Sequence, residues 1–167
     1  MPRSVLLTLF LSCALHCVAW SQSASEPAEG VNWLAFEDGL QIAVEKDRPV
    51  LVDIYAPWCG WCSRLQTDVY TVPDVQAYLA NHFTVTRLNI DSVDDVVNFR
   101  GYELTSAELA MGLGASGTPT TVFLDASGDY ITRLPGFVGA EEFLQILTFI
   151  GSEAYVSESF ETFVETN

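Results

Sequence analysis

The feature that most constrains this chain is an apolar run that stops at a pair of thiols. Val50-Leu51-Val52-Asp53-Ile54-Tyr55 is nearly continuous apolar, the signature of a central strand covered on both faces. Ala56 to Gly60 reads as a loop, and a helical stretch opens at Cys62 and runs to about Tyr70. A strand buried on both sides and feeding a helix demands layers above and below it, which points to an α/β domain.

The rest of the chain supplies those layers. Trp33, Phe36, Leu40, Ala43 and Val44 recur at helical spacing and predict an amphipathic helix over 32–46. Pro73 to Ala80 predicts a second short helix, and the alternating, β-branched Phe83 to Ile90 a strand. Asp91 to Leu104 fits either a helical turn or a hairpin around Arg100-Gly101. Thr105-Ser106-Ala107-Glu108 is a capping box that opens a helix to Leu113. Thr120 to Leu124, a turn over Asp125 to Asp129, and Tyr130 to Leu134 predict a strand hairpin. Phe143, Leu144, Leu147 and Ile150 predict a further helix, with Glu141 and Glu142 in its first turn and Gly151 as its stop. Val156, Phe160, Phe163 and Val164 suit one more acidic helix. The expected architecture is a central mixed sheet of four to five strands flanked by helices.

Domain organisation follows from the N-terminus. Arg3, then the apolar Val5 to Leu15, then the small residues around Ala19-Trp20-Ser21, read as a signal peptide over 1–21. The apolar stretch is shorter than the roughly 20 residues of a spanning helix. An uncleaved membrane anchor is the alternative. Residues 22–30 read as a mobile polar linker, 31–151 as the folded domain with 92–115 inserted, and 152–167 as an acidic tail or short helix. The expected location is periplasmic or secreted. With 49% hydrophobic residues the chain has the makings of a packed core. A net charge of −15 with scattered cations excludes a basic patch, so nucleic acid and anionic membrane are poor partners.

Loss of the leader removes Cys13 and Cys17, leaving Cys59 and Cys62 of the 4 cysteines. Two thiols in a C-x-x-C spacing at a helix start form a dithiol/disulfide switch. The thiolate is the attacking species in disulfide exchange. A sulfur at a helix N-terminus faces unpaired N–H groups and the positive dipole end, which favours that thiolate. Cys59 is therefore the candidate nucleophile, and Cys62, one turn on, the thiol that resolves the mixed disulfide. A purely structural disulfide closing so small a loop would stabilise little. A zinc site needs about four ligands, and the chain offers no second pair, so no metal is expected. No cofactor beyond the Cys59–Cys62 disulfide is called for.

Asp53 lies inside the apolar strand, where burial raises a carboxyl pKa. It is the candidate acceptor of the Cys62 proton. Trp58 and Trp61 flank the thiols as candidate docking aromatics, Trp58 partly exposed and Trp61 the more exposed. Gly60 stands between the cysteines, and Thr118-Pro119 enters the third strand. Spacing alone reads Pro119 as an ordinary trans residue at a strand start. His82 reads as a surface residue, and Arg87 with Asp91 as a solvated pair.

Together these motifs resemble the thioredoxin superfamily. Val52 to Cys62 (VDIYAPWCGWC) resembles its strand, buried acid and W-C-G-x-C loop. Arg87 to Asp91 resembles the following strand, Gly117-Thr118-Pro119-Thr120 the cis-Pro loop, and Gly128 to Gly136 the last hairpin. The resemblance spans residues 31–150. It implies a thioredoxin-like fold and protein thiol–disulfide oxidoreductase activity, with Cys59 attacking, Cys62 resolving, Asp53 shuttling protons and Pro119 cis beside the sulfurs. Trp58, Gly60, Trp61 and Thr118 would contact substrate. Three departures stand out. The dipeptide is Gly60-Trp61 where thioredoxin has Gly-Pro, the active-site helix lacks thioredoxin's Pro, and Asp91 to Ala115 is longer. The long segment is similar to exported bacterial thioredoxin-related proteins. The expected partners are protein disulfides and a membrane thiol electron donor, with the chain acting as a monomeric reductase. A disulfide oxidase or isomerase, and a non-catalytic peptide-binding module, are the alternatives.

Overall fold

The structure is a computed structural model and describes residues 25–166. The expected signal peptide, with Cys13 and Cys17, lies outside the described residues, as does the start of the expected linker. Among the described residues no helix is long and apolar enough to cross a membrane.

The chain runs β1 (Trp33–Leu34), α1 (Phe36–Lys46), β2 (Val50–Tyr55), α2 (Gly60–Asp68), α3 (Pro73–His82) and β3 (Thr84–Asn89). It continues through β4 (Val96–Phe99), β5 (Tyr102–Thr105), α4 (Ser106–Gly112), β6 (Thr120–Leu124), β7 (Tyr130–Pro135), α5 (Ala140–Gly151) and α6 (Phe160–Thr166). Five strands form one mixed sheet in the order β1-β3-β2-β6-β7, with β2 parallel to β3 and antiparallel to β6. This is the α/β architecture expected, at five strands.

Strand β2 is central because its side chains are apolar on both faces. Val50, Val52 and Ile54 pack on one face with Phe36, Ala43, Leu109 and Val122. Leu51 packs on the other with Leu65, Tyr70, Phe123, Phe143 and Leu147. Side chains alternate along a strand, so Asp53 shares the face of Leu51, the face covered by α2 and α5. That alternation puts the one charged residue of the strand beneath the helix that carries the thiols.

Several elements differ from the sequence expectations. The helix expected over 32–46 starts at Phe36, because Trp33 and Leu34 pair with Val85 and Thr86 as a short edge strand. The Trp33 ring meets Tyr70 edge-on at 5.0 Å, a tertiary contact that overrides helical spacing. Residues 25–30, expected as a mobile linker, lie against the domain with Ser25 and Ala28 buried. The open question over Asp91 to Leu104 resolves as the hairpin β4–β5. Its two-residue turn places Arg100 at φ 54° and Gly101 at φ 82°, as a tight hairpin loop requires. The Thr105–Glu108 capping box forms and opens α4. Gly151 belongs to α5 instead of ending it, and Ser152 is the cap. The C-terminal segment ends in α6, with the Phe160 and Phe163 rings 5.4 and 5.3 Å from that of Phe149.

Candidate active site

Cys59 is the N-cap of α2 and adopts an extended backbone, while Cys62 sits in the first turn. The two sulfurs are joined as a disulfide across a Cα–Cα distance of 5.2 Å. The Cys62 backbone N–H donates to Cys59 Sγ at 3.0 Å. One helical turn thus supplies both the bonding partner and a donor for the first sulfur, which favours negative charge there once the pair is reduced. Cys59 keeps 4% of its surface exposed and Cys62 none. Of the two residues, Cys59 alone keeps surface open to solvent.

Asp53 is fully buried. Its Oδ2 accepts from Gln66 Nε2 at 2.8 Å and from Arg87 Nε at 2.9 Å. Gln66 lies one turn beyond Cys62 on the buried face of α2, so Cys62 and the group that grips Asp53 share one helix face. Burial pushes the Asp53 carboxyl above its ordinary range, against the opposing pull of Arg87 and the Gln66 hydrogen bond. Burial, and next the Asp53 charge, raise the neighbouring Tyr70 phenol well above 10.0. A carboxyl whose proton affinity is raised in a dry site holds a proton at higher pH than a solvated one.

The expected solvated pair of Arg87 with Asp91 does not form. Arg87 turns inward to Asp53, with only 10% of its side chain exposed and its Cζ 3.8 Å from the Tyr55 ring centroid. Asp91 instead accepts from Trp58 Nε1 at 2.6 Å. The expected order of tryptophan exposure is also reversed, with Trp58 72% exposed and Trp61 57%. Trp61 leans on Phe137 at 5.4 Å under the Arg64 guanidinium, whereas Trp58 projects from its loop.

A cleft of about 320 Å³ opens beside the disulfide, lined by Trp61, Thr118, Pro119, Gly136 and Phe137. The Thr118–Pro119 peptide is cis. Trp61 and Phe137 give this cleft an apolar wall, and Thr118 and Pro119 complete its lining with Gly136. Gly60 faces open space, with nothing within 4 Å of where a Cβ would stand. His82 stacks on Tyr78 at 4.2 Å at the end of α3, an element away from this cleft. Sequence reasoning missed three residues here: Arg87, Gln66 and Phe137. The signals available were an arginine on the Val85 face of an alternating strand, and a glutamine four residues after Cys62.

Comparison with known proteins agrees with this geometry. A family model described as a thioredoxin-like domain matches residues 36–151. The thiol:disulfide interchange protein DsbD of Actinobacillus pleuropneumoniae is 28% identical over 160 residues, covering 87% of this chain and 26% of that protein. Protein disulfide-isomerase 1 of Dictyostelium discoideum is 28% identical over 127 residues, 76% of this chain and 31% of that one. The chain thus spans about a quarter to a third of the length of these curated relatives. Among solved structures, a putative disulphide-isomerase from Bacteroides thetaiotaomicron superposes with a TM-score of 0.58 at 29% identity, covering 80% of this chain and all of that one.

Proposed function

This chain belongs to the thioredoxin-like family, and we propose that it is a thiol–disulfide oxidoreductase that works as a reductase of protein disulfides outside the cytoplasm. The observation that carries the reading is the exposure asymmetry of Cys59 and Cys62 at the start of α2, beside a cleft with an apolar wall. In the reduced state the Cys59 thiolate attacks one sulfur of a substrate disulfide. A Cys59–substrate disulfide forms and the other substrate sulfur leaves as a thiolate, which is protonated from solvent. Cys62 then gives its proton to Asp53 and attacks Cys59 Sγ. The Cys59–Cys62 disulfide forms, the second substrate sulfur leaves as a thiolate that takes a proton from solvent, and Asp53 returns the Cys62 proton to solvent. The substrate gains two electrons and two protons, and the dithiol is oxidised. An external thiol donor restores the dithiol by the reverse sequence.

Reduction, and not oxidation, is favoured by the likeness to thioredoxin across the cis-Pro loop and the buried acid. The apolar N-terminal run supports export, and the relatives named as thiol:disulfide interchange proteins support a thiol partner as electron donor. The test is equilibration of the protein with glutathione or dithiothreitol buffers to obtain its reduction potential. A value of about −250 mV or lower, near thioredoxin's, agrees with a reductase, whereas about −120 mV identifies an oxidant.

A further inference from the structure

The two donors that hold Asp53 are themselves held from behind by one short segment. Arg87 Nε donates to Asp53, and Arg87 Nη1 donates to the Ser25 carbonyl at 3.1 Å. Gln66 Nε2 donates to Asp53, and Gln66 Oε1 accepts from the Ala28 N–H at 2.8 Å. The segment is pinned in turn: Trp33 Nε1 donates to the Ala28 carbonyl at 3.1 Å, and Gln76 Nε2 to the Glu29 carbonyl at 2.8 Å. Ser25 and Ala28 are buried, while Glu26 and Glu29 are exposed.

An amide side chain has one accepting and one donating end. The Ala28 N–H decides which end of Gln66 faces inward. With Oε1 taken by Ala28, Nε2 must point at the carboxylate; the flipped amide would set two oxygens against each other. The Ser25 carbonyl likewise anchors the far edge of the Arg87 guanidinium, whose planar fork then presents Nε to Asp53.

We propose that Ser25–Ala28 is a positioning strap for the proton-transfer step: by orienting Gln66 and Arg87 it fixes the Asp53 carboxylate that serves Cys62. The inference rests on the reading above that Asp53 accepts the Cys62 proton. The charged and ionisable groups that act on Asp53 are Arg87 from β3 and Tyr70 just beyond α2, while β6 places Thr121 opposite it. The strap brings no charge of its own to the carboxylate and acts only through its two backbone hydrogen bonds. Loosening it weakens both donors to the charged carboxylate, so the proton affinity of Asp53 rises.

The test uses the full chain and insulin as the disulfide probe, with kcat/KM followed between pH 4 and 9. Ala28→Pro deletes the N–H that holds Gln66, and Ala28→Gly retains it. Trp33→Phe deletes the N–H that holds the Ala28 carbonyl and serves if Ala28→Pro unfolds. The expected result is an acid-side midpoint raised by about half a unit in Ala28→Pro and Trp33→Phe, with Ala28→Gly overlaying the unmodified protein. An active protein whose profile is unchanged in every folded variant overturns the strap alone. An unmodified chain that reduces no insulin at any pH overturns the dithiol reading and the strap with it.

Discussion

The Asp53 carboxylate and the Arg87 guanidinium meet at 2.9 Å beneath the redox helix, the carboxylate fully buried and the arginine side chain 10% exposed. The parallel register of β2 and β3 makes the two residues direct Cα partners, so their side chains leave the sheet on the same face. Even so paired, the carboxyl stays above its ordinary range, because burial outweighs the attraction of Arg87 and the Gln66 hydrogen bond.

The pH dependence of stability follows from that direction. A carboxyl raised on folding binds more protons in the native than in the unfolded state across the window above 3.8, its ordinary value. Its contribution is full below that value and is lost as pH rises through the folded pKa. Asp53→Asn removes the ionisation. The variant is expected to exceed the unmodified protein in urea stability at pH 7.5, with the advantage shrinking toward pH 3.5. Its turnover at neutral pH is expected to fall by about a hundredfold or more, the usual contribution of a positioned proton acceptor.

Removing the other partner acts in the opposite sense. Arg87→Gln leaves a buried carboxylate without its counter-charge, and the expected loss is about 3 kcal/mol in denaturant unfolding at pH 7.5. Combining it with Asp53→Asn should return more of that loss than Asp53→Asn gains by itself, since the uncompensated charge is gone. A simple sum of the two single effects would contradict the pairing.

The contact of α1 with β3 gives a packing test. A Cβ on Gly39 would overlap Thr86 Cγ2 and lie 3.5 Å from Thr84 Cγ2. Gly39→Ala is expected to cost about 1–3 kcal/mol by overpacking. Thr86→Ser deletes the offending methyl while keeping the hydroxyl that donates to the Leu51 carbonyl at 3.3 Å. The double variant should be more stable than Gly39→Ala alone.

The aromatic wall of the cleft should act on substrate and leave the fold intact. Trp61 is 57% exposed and rests on Phe137, which is itself half-buried against the core. Trp61→Ala and Phe137→Ala are each expected to lower kcat/KM for a protein disulfide by about tenfold, the equivalent of 1.4 kcal/mol of lost contact. Thermal unfolding of Trp61→Ala should barely move, whereas Phe137→Ala also loses core packing. An equal fall for a small-molecule disulfide would show that the rings act on the thiols and not on the bound chain.

Much of the fold was legible from local pattern. The apolar run at Val50 to Tyr55, the capping box at Thr105 and the hairpin turn at Asp125 to Asp129 each carry their geometry in consecutive residues. The thiol pair was legible for the same reason, since C-x-x-C spacing spans one helical turn. The reading failed where a residue's partner is distant in the chain. Arg87 and Asp91, read as a solvated pair, part company: Arg87 lies within β3 and turns inward to Asp53, while Asp91 follows the strand and meets Trp58. Trp33 fits helical periodicity, yet its edge-on contact with Tyr70 draws it into the sheet.

The sequence by itself determined the strand–loop–helix that carries Cys59 and Cys62, the acid placed within that strand, and the chemistry two such thiols can perform. These rest on backbone geometry repeated every two or 3.6 residues. Only the tertiary structure decided that Arg87 and Gln66 grip Asp53, that Ser25 and Ala28 grip them in turn, and that Phe137 completes the cleft beside Trp61. Those contacts join residues 13 to 76 positions apart, and no local periodicity encodes them. They exist because sheet register and helix packing bring the distant segments to one place.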